Sequence, residues 1–596
     1  MIRSLALAAL LCACQRAEDP APAPLRVSPA DEKTQIAIAT VASPLVFVDV
    51  ANAVGLDWQH ENGHSLHRHF PETMGGGGAL CDFDGDGDLD IYAVNGAFID
   101  TARSSPNPVN ALFRNDGAHF NRLDAGVEHP GVGMGVAAAD YDGDGDLDLY
   151  LTNYGANELF RNDGARFAAV GAQYAVDDPR WGTSCAFADY DRDGDLDLYV
   201  ANYVAYDPQV ETGNQIPYMA EYESYGAQSP PGYPHPDNFP GQADLLYRND
   251  REWGFSDVSA SALIADDSGK GLGVAVADYN EDGWPDIYVA NDAVRNFLYC
   301  NQANGTFAER ASTMGVAYGQ DGQMEAGMGV DWGDYDSDGI LDLTVTNFQA
   351  EPNALYRGER TFFSIATYTA GIGLPSLPLL GFGTQFFDGD LDGDLDLFVA
   401  NGHVLDNVEL IDQSTSYGQR NLLFRNDEGR FSDISAQAGT AFDRLGVSRG
   451  SAAGDYDLDG DTDLLVFNSG QRLSLLRNDH GRVNRWITVR LQGNQGNPNG
   501  IGARLIAYSG ISGTDKTDHA IGAEAALRQT REIRGSRSYL SQSPLSVSFG
   551  LGTFNRLDRL EVRWPSGRTE QFGPFAAQQF LTLVEGEGII AKTVSP

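Results

Sequence analysis

At 596 residues the chain is long enough to bury several cores. Its 84 acidic against 40 basic side chains leave a formal net charge of −44, which excludes a nucleic-acid partner, since a polyanion would be repelled.

The first element is an N-terminal targeting segment. Arg3 is followed by an apolar run over residues 5–11, too short to span a membrane and right for a signal peptide. Its end, Leu11-Cys12-Ala13-Cys14, resembles a bacterial lipobox. That resemblance implies lipidation of Cys14, a lipoprotein-type signal over 1–14 and a flexible Pro/Ala-rich tether over 15–44. The chain is then expected to be exported, to the outer membrane or periplasm as a lipoprotein or otherwise secreted, with membrane contact only through the anchor.

From residue 45 to about 482 a pattern repeats seven times. Each copy reads D-x-D/N-x-D-G-x-x-D, with oxygen-bearing side chains at positions one, three, five and nine and glycine at six. The candidate ligand sets are Asp82, Asp84, Asp86, Asp90; Asp140, Asp142, Asp144, Asp148; Asp189, Asp191, Asp193, Asp197; and Asp278, Asn280, Asp282, Asp286. Three more follow: Asp334, Asp336, Asp338, Asp342; Asp388, Asp390, Asp392, Asp396; and Asp455, Asp457, Asp459, Asp463. Calcium takes six to eight oxygens at about 2.3–2.6 Å, and alternate residues of a tight loop aim carboxylates inward while glycine permits the turn. Magnesium prefers to keep its waters, and zinc would ask for His or Cys.

Position seven would offer a backbone carbonyl, which is why Asp88, Trp284 and Ile340 are all tolerated there. Even for a single copy calcium outweighs the alternative of a solvated acidic turn, and seven copies in register argue for up to seven Ca²⁺. Asn280 removes one charge, so the fourth site is expected to be weaker. An EF-hand would need flanking helices and a glutamate at position twelve, and neither is present.

The flanks are short apolar runs, such as Gly-Ala-Leu-Cys before Asp82 and Ile-Tyr-Ala-Val after Asp90, which read as strands buried on both faces. Asn95, Asn153, Asn202, Asn291, Asn347, Asn401 and Asn468 each lie thirteen residues after their first aspartate, where asparagine can turn the chain. Paired glycines such as Gly133 and Gly135 precede the inner strands and let backbones crowd together. A second hairpin follows each string, as in Leu112-Phe113-Arg114-Asn115-Asp116-Gly117, and six of them continue into an outer strand.

The seventh lacks that strand, and Phe47-Val48-Asp49-Val50 supplies one at the start, so a ring of four-stranded blades would close on it. These residues resemble the FG-GAP/VCBS repeats of integrin-α-like propellers. The resemblance implies an all-β, seven-bladed propeller over 45–482, with calcium in the loop joining strands one and two of each blade. Of the cysteines past the signal, Cys81, Cys185 and Cys300 cannot all pair and read as buried free thiols.

From 483 to 596 the repeat is gone. Asn499-Gly500-Ile501-Gly502-Ala503-Arg504, Arg531-Glu532-Ile533-Arg534-Gly535, Tyr539-Leu540-Ser541-Gln542, Phe549-Gly550-Leu551-Gly552 and Val562-Arg563-Trp564-Pro565-Ser566-Gly567 resemble the ASPIC/UnbV domain. Animal cartilage acidic proteins and many bacterial exported proteins share its association with calcium propellers. Alternating segments such as Trp486-Ile487-Thr488-Val489-Arg490-Leu491 predict a small β-sandwich. Arg531, Arg534 and Arg537 would bind an anion or dock on the acidic propeller.

Strands in a blade are antiparallel, so the aspartate loops share one face and the interruptions of the repeat, about 96–110, 203–243 and 402–421, share the other. The longest interruption holds Tyr218, Tyr222, Tyr225, Tyr233, His235 and Phe239, suited to ligand contact or to packing the loop itself. His60, His64, His67 and His69, with Glu72 nearby, form an imidazole cluster on that face, read either as solvated histidines or as a transition-metal site.

No nucleophile elbow, phosphate loop, C-x-x-C or H-E-x-x-H motif is present, and the catalytic residues are unknown. The leading expectation is a monomeric, calcium-binding adhesion or binding module for glycan or protein. An enzyme, or enzyme accessory subunit, acting on polysaccharide or another exported substrate is second, and a periplasmic assembly scaffold third.

Overall fold

The computed structural model describes residues 45–99, 106–209, 232–480, 484–494, 497–511 and 526–594. Cys14, the signal and tether segments, and Tyr218, Tyr222 and Tyr225 lie outside these described residues.

Each aspartate string joins two antiparallel strands. In the first repeat Gly78–Cys81 runs into the loop, Asp90–Ala93 returns from it, and Ala111–Asn115 and Phe120–Leu123 complete a four-stranded sheet. Five more sheets follow the same order of consecutive strands. The seventh is made of Ser448–Gly454, Asp463–Asn468 and Ser474–Asn478, and its fourth strand is Phe47–Asp49, antiparallel with Phe47 opposite Asn478. Phe47 is buried against Phe387 and Phe442, so burial of this aromatic holds the closing strand in place.

The first strands of successive sheets pack side by side, and Ser448–Gly454 packs against Gly78–Cys81, which closes the circle into an all-β propeller. These strands are apolar without alternation because both sides are covered; all seven residues of Gly271–Ala277 are buried. The circle is tight: a Cβ on Gly273 would lie 2.2 Å from the Met328 carbonyl oxygen of the next sheet. Cys81, Cys185 and Cys300 are free and buried, and burial pushes the Cys300 thiol up to about 12.

The C-terminal region is a sandwich of two four-stranded sheets. In one, Arg485–Gln492 lies between Ser546–Gly552 and Gln579–Val584, the latter pairing parallel to it. In the other, Arg504–Ser509 lies between Leu527–Glu532 and Arg559–Arg563. Ile487, Val489 and Phe549 from the first pack with Leu505, Leu560 and Val562 from the second.

Between the two sheets the chain leaves the sandwich, and residues 534–544 enter the centre of the propeller. An innermost strand has no neighbour on its central side, so its peptide groups need partners there. This segment supplies them to six of the seven sheets and meets a side chain of the third. Leu80 N–H donates to the Gln542 carbonyl at 3.1 Å and Gln542 N–H to Gly78 at 3.0 Å. The Gln542 amide bonds both peptide groups of Ala138 at 2.7 Å, and Leu540 N–H donates to Ser184 Oγ at 3.1 Å. Ser536 Oγ donates to the Val274 carbonyl, and Ser538 and Val330 exchange backbone bonds. Thr384 N–H donates to Ser538 Oγ and Ala453 N–H to Ser543 Oγ. Small side chains suit the narrow passage, and a Cβ on Gly77 would lie 1.8 Å from the Leu540 carbonyl oxygen.

Candidate functional site

The aspartate loops share one backbone conformation. Position six is glycine with φ between 88° and 107° at Gly87, Gly145, Gly194, Gly283, Gly339, Gly393 and Gly460. Position four is also left-handed in all seven, although only Gly85 and Gly143 are glycine there; Arg192, Glu281, Ser337, Leu391 and Leu458 adopt φ of 57–60°.

In the second loop Asp140 accepts from Gly143 N–H at 2.8 Å and Gly145 N–H at 3.0 Å, and Asp142 and Asp144 accept from the residue two places on. Asp148 closes the loop, accepting from Tyr141 N–H at 3.1 Å and from Asn162 N–H, on the outer hairpin, at 2.8 Å. The same pair of bonds recurs at Asp90, Asp197, Asp342, Asp396 and Asp463.

Carboxylate oxygens come within 4.8 Å of one another in the sets Asp82, Asp84, Asp86; Asp140, Asp142, Asp148; Asp189, Asp191, Asp197; Asp334, Asp336, Asp342; and Asp388, Asp390, Asp392. In the fourth loop Asp278 and Asn280 both accept from Asp282 N–H, at 3.0 and 2.9 Å. In the seventh, Asp455 accepts from Asp459 N–H at 3.1 Å and Asp459 from Asp461 N–H at 3.0 Å. Asp193 and Asp338 likewise accept from Asp195 and Ile340.

These clusters fit a hard cation. Buried oxygens of Asp82, Asp189, Asp286, Asp334, Asp388, Asp390 and Asp457 have no hydrogen-bond partner. Burial, with neighbouring carboxylates, pushes Asp90 and Asp189 up to about 7 and Asp140 and Asp457 to about 6. An all-oxygen donor set with several carboxylates matches the ligand preference of Ca²⁺.

The loops are laced to each other by asparagines of the outer hairpins. Asn115 Nδ2 donates to the Tyr456 carbonyl in the preceding sheet at 2.8 Å, Asn162 to Phe83 at 3.0 Å, and Asn249 to Tyr141 at 2.9 Å. Asn301, Asn426 and Asn478 repeat the bond to Tyr190, Tyr335 and Gly389. The sequence reads these asparagines as turn residues; their larger role is inter-sheet. Gly358 stands at the equivalent position of the fifth sheet and has no side chain to make the bond.

The C-terminal sandwich touches every loop. Arg490 pairs with Asp82 at 3.0 Å, Asp140 N–H donates to Asn499, Asn497 N–H to Gly194, and Asp278 N–H to Glu532. Arg504 reaches the Gly339 carbonyl at 3.2 Å, Gly550 N–H donates to Asp388 at 3.0 Å, and Trp486 packs on Gly460. Of the three arginines named from sequence, Arg531 bonds the Gly393 carbonyl at 3.3 Å and Arg534 pairs with the buried Asp331 at 2.8 Å; both serve docking. Arg537 makes no such bond.

The opposite face is assembled from unlike parts. Phe70, Trp181, Tyr203, Tyr206 and Phe239 interlock, with Phe70 edge-on to Trp181 at 5.5 Å, and close the far end of the central passage over Tyr539 and Leu540. Beside them buried Glu72 accepts from Ser65 Oγ at 2.6 Å and Tyr233 Oη at 3.3 Å. His64, 53% exposed, lies 3.3 Å from Tyr233 Oη and 3.9 Å from Asp406, which also pairs with Arg68. Glu72, Tyr233 and Asp406 come from the connection into the first sheet and from the interruptions after residues 202 and 401.

Within the imidazole cluster His67 and His69 stay together, their rings edge-on at 5.7 Å, while His60 and His64 meet other partners. Burial holds His60 down at about 3 while its Nδ1 accepts from Gly470 N–H, and His69 Nδ1 meets Tyr206 Oη at 3.0 Å, away from His64. Tyr233 and Phe239 are buried, so they pack the long interruption, and His235 caps a short turn by accepting from Asp237 N–H.

Residues 493–590 match the family model described as ASPIC and UnbV, and residues 82–151, 140–200 and 278–345 match the FG-GAP-like repeat. Over 320 residues the chain is 28% identical to cartilage acidic protein 1 of Mus musculus and of Homo sapiens, covering 52% of this chain and 44% and 43% of those proteins. The chain thus spans less than half the length of these curated relatives. Among solved structures, an Agrocybe aegerita lectin that recognises non-reducing terminal N-acetylglucosamine aligns with a TM-score of 0.35 and 15% identity, over 63% of this chain and 89% of its own. Nothing about a ligand follows from overlap at that level. The chain carries FG-GAP-like repeats followed by an ASPIC/UnbV domain and is homologous to cartilage acidic protein 1.

Proposed function

We propose that this FG-GAP propeller with its ASPIC/UnbV domain is an exported, calcium-stabilised binding module that takes a glycan or protein on the face opposite its aspartate loops. One observation carries the reading: the C-terminal sandwich touches all seven loops, which leaves the irregular face as the accessible one. Leu66, Met324, Leu410 and Leu445, each more than half exposed, all lie in connections of that face. The same face carries the ordered aromatic and charged groups of Tyr233, His64, Arg68 and Asp406, a combination suited to glycan or protein contact.

Calcium acts in this reading as a structural ion. Each site filled at about 100 times its dissociation constant would add about 2.7 kcal/mol to the folded state. The lipobox-like Cys14 suggests that the module is tethered to the envelope.

The test is a glycan array and a surface-protein binding screen on the mature protein, with calcium and with chelator. Saturable binding that His64→Ala or Leu410→Asp weakens supports the reading. Release of new reducing ends from a polysaccharide, lost in His64→Ala, would replace it with an enzyme. Binding indifferent to both substitutions would remove the irregular face from consideration.

A further inference from the structure

The underside of the C-terminal sandwich does not fill the mouth of the propeller. A cavity of about 350 Å³ lies between them, floored by inner-strand and loop residues of the first, second, fifth, sixth and seventh sheets, Asp82, Asp86, Asp388 and Asp455 among them, and roofed by both sandwich sheets. Its walls are part apolar, with Phe386, Phe387, Leu491, Leu545 and Phe580 among them. At a share of about 30 Å³ per water it would hold on the order of ten waters, or one organic molecule of comparable bulk. Arg490, 49% exposed, and the exposed Asp86 and Gly87 stand at its edge, so the cavity opens beside the first loop.

Four arginines line this space, and three have protein partners. Arg490 is paired with Asp82, Arg531 with carbonyls and Gln529, and Arg534 with Asp331. Arg537 lines the cavity and, among the described residues, has no hydrogen bond or ion pair. The one acid acting on it is Asp331, whose two oxygens are already taken by Arg534, Trp332 N–H and Phe386 N–H. Arg534 repels it, and burial draws it down to about 10, still far above neutrality. A guanidinium stays charged at pH 7, and a charge without a hydrogen-bonded partner in such a place is destabilising. Thr530 Oγ1 and Arg534 Nε, also on the cavity wall, are buried without partners.

We propose that this cavity is a binding site for a small organic anion, with a carboxylate or similar oxyanion head on Arg537 and an apolar body against Phe386, Phe387 and Leu545. The planar fork of the guanidinium suits a bidentate oxyanion. The site is independent of the opposite face, and its occupant would bridge sandwich and propeller.

The test uses the full mature protein with calcium, and benzoate and acetate as probes in equilibrium dialysis. Saturable benzoate binding is expected, at least tenfold tighter than acetate because only benzoate covers the apolar wall. Arg537→Met is expected to weaken it at least tenfold, while Arg556→Met, a surface arginine far from the cavity, leaves it unchanged. Should Arg537→Met not fold, Ser546→Trp, which fills the space from the sandwich side, is expected to abolish binding. Absence of saturable binding of either probe to the wild type, or binding unaltered by these substitutions, would overturn the site.

Discussion

On one face of the propeller a nine-residue pattern recurs seven times and the same sandwich touches each copy; on the other, connections of unequal length bring Glu72, Tyr233 and Asp406 together from three distant stretches of chain. The contrast teaches where repetition is useful. Loops of one conformation, with the same lacing bond in six of the seven sheets, as from Asn115 to Tyr456 and Asn162 to Phe83, tie each sheet to the one before it. A surface that must choose a partner needs unlike residues, and these arise only where the repeat is interrupted.

Chelation should break this contrast most severely. Without calcium the carboxylates crowded into each loop lose their shared cation, and at about 2.7 kcal/mol per well-filled site the summed loss would exceed the stability of a typical domain. A melting temperature unmoved by chelator would refute the structural role of the ion. The metal-free protein should also lose stability as pH rises. Asp90 and Asp189 hold their protons to about pH 7 when folded, against an ordinary value near 3.8, so folding is favoured while they are protonated. That contribution is complete at low pH and lost as pH passes about 7, and added calcium, which takes the proton's place, should flatten the slope between about pH 4 and 7.

Asp331→Asn comes next. It strips the counter-ion from buried Arg534, a change that costs about 3–5 kcal/mol in such pairs, and chemical denaturation would read it. Gly77→Ala places a methyl where the Leu540 carbonyl oxygen lies, and overpacking of this kind costs about 1–3 kcal/mol. Faster hydrogen exchange over 534–544, with the outer strands unaffected, is the expected signature. The smallest effect on stability belongs to Leu410→Asp, within about 0.5 kcal/mol because the side chain is exposed, although ligand binding should fall. A large loss of stability there would show the irregular face to be scaffold after all.

Much of the loop face was legible in the sequence because its determinants are local. Asp140, Asp142 and Asp148 announce themselves by spacing, and the lone strand Phe47–Asp49 by its absence from the seventh repeat. The left-handed position four was not legible, since Gly85 and Leu391 share a conformation that only one of them advertises. Nor was the central segment. Tyr539 and Leu540 look like sandwich core, and their partners Gly77, Ser184 and Phe382 lie far earlier in the chain with no pattern linking them. His60 and His64 lie close in sequence yet face different surroundings, because the backbone between them follows no regular period.

The segment through the middle of the propeller also sets an order of events in the making of the protein. Gly78 finds its partner Ser541 only 463 residues later, so six of the seven inner strands wait with unmet peptide groups until the last tenth or so of the chain has emerged. A chain stopped at residue 482 would present a hollow ring whose polar lining is bare, a form open to proteases and to strands of neighbouring molecules. Completion of the molecule is therefore a late, single event. Finished copies differ from unfinished ones in whether Tyr539 has reached Phe382.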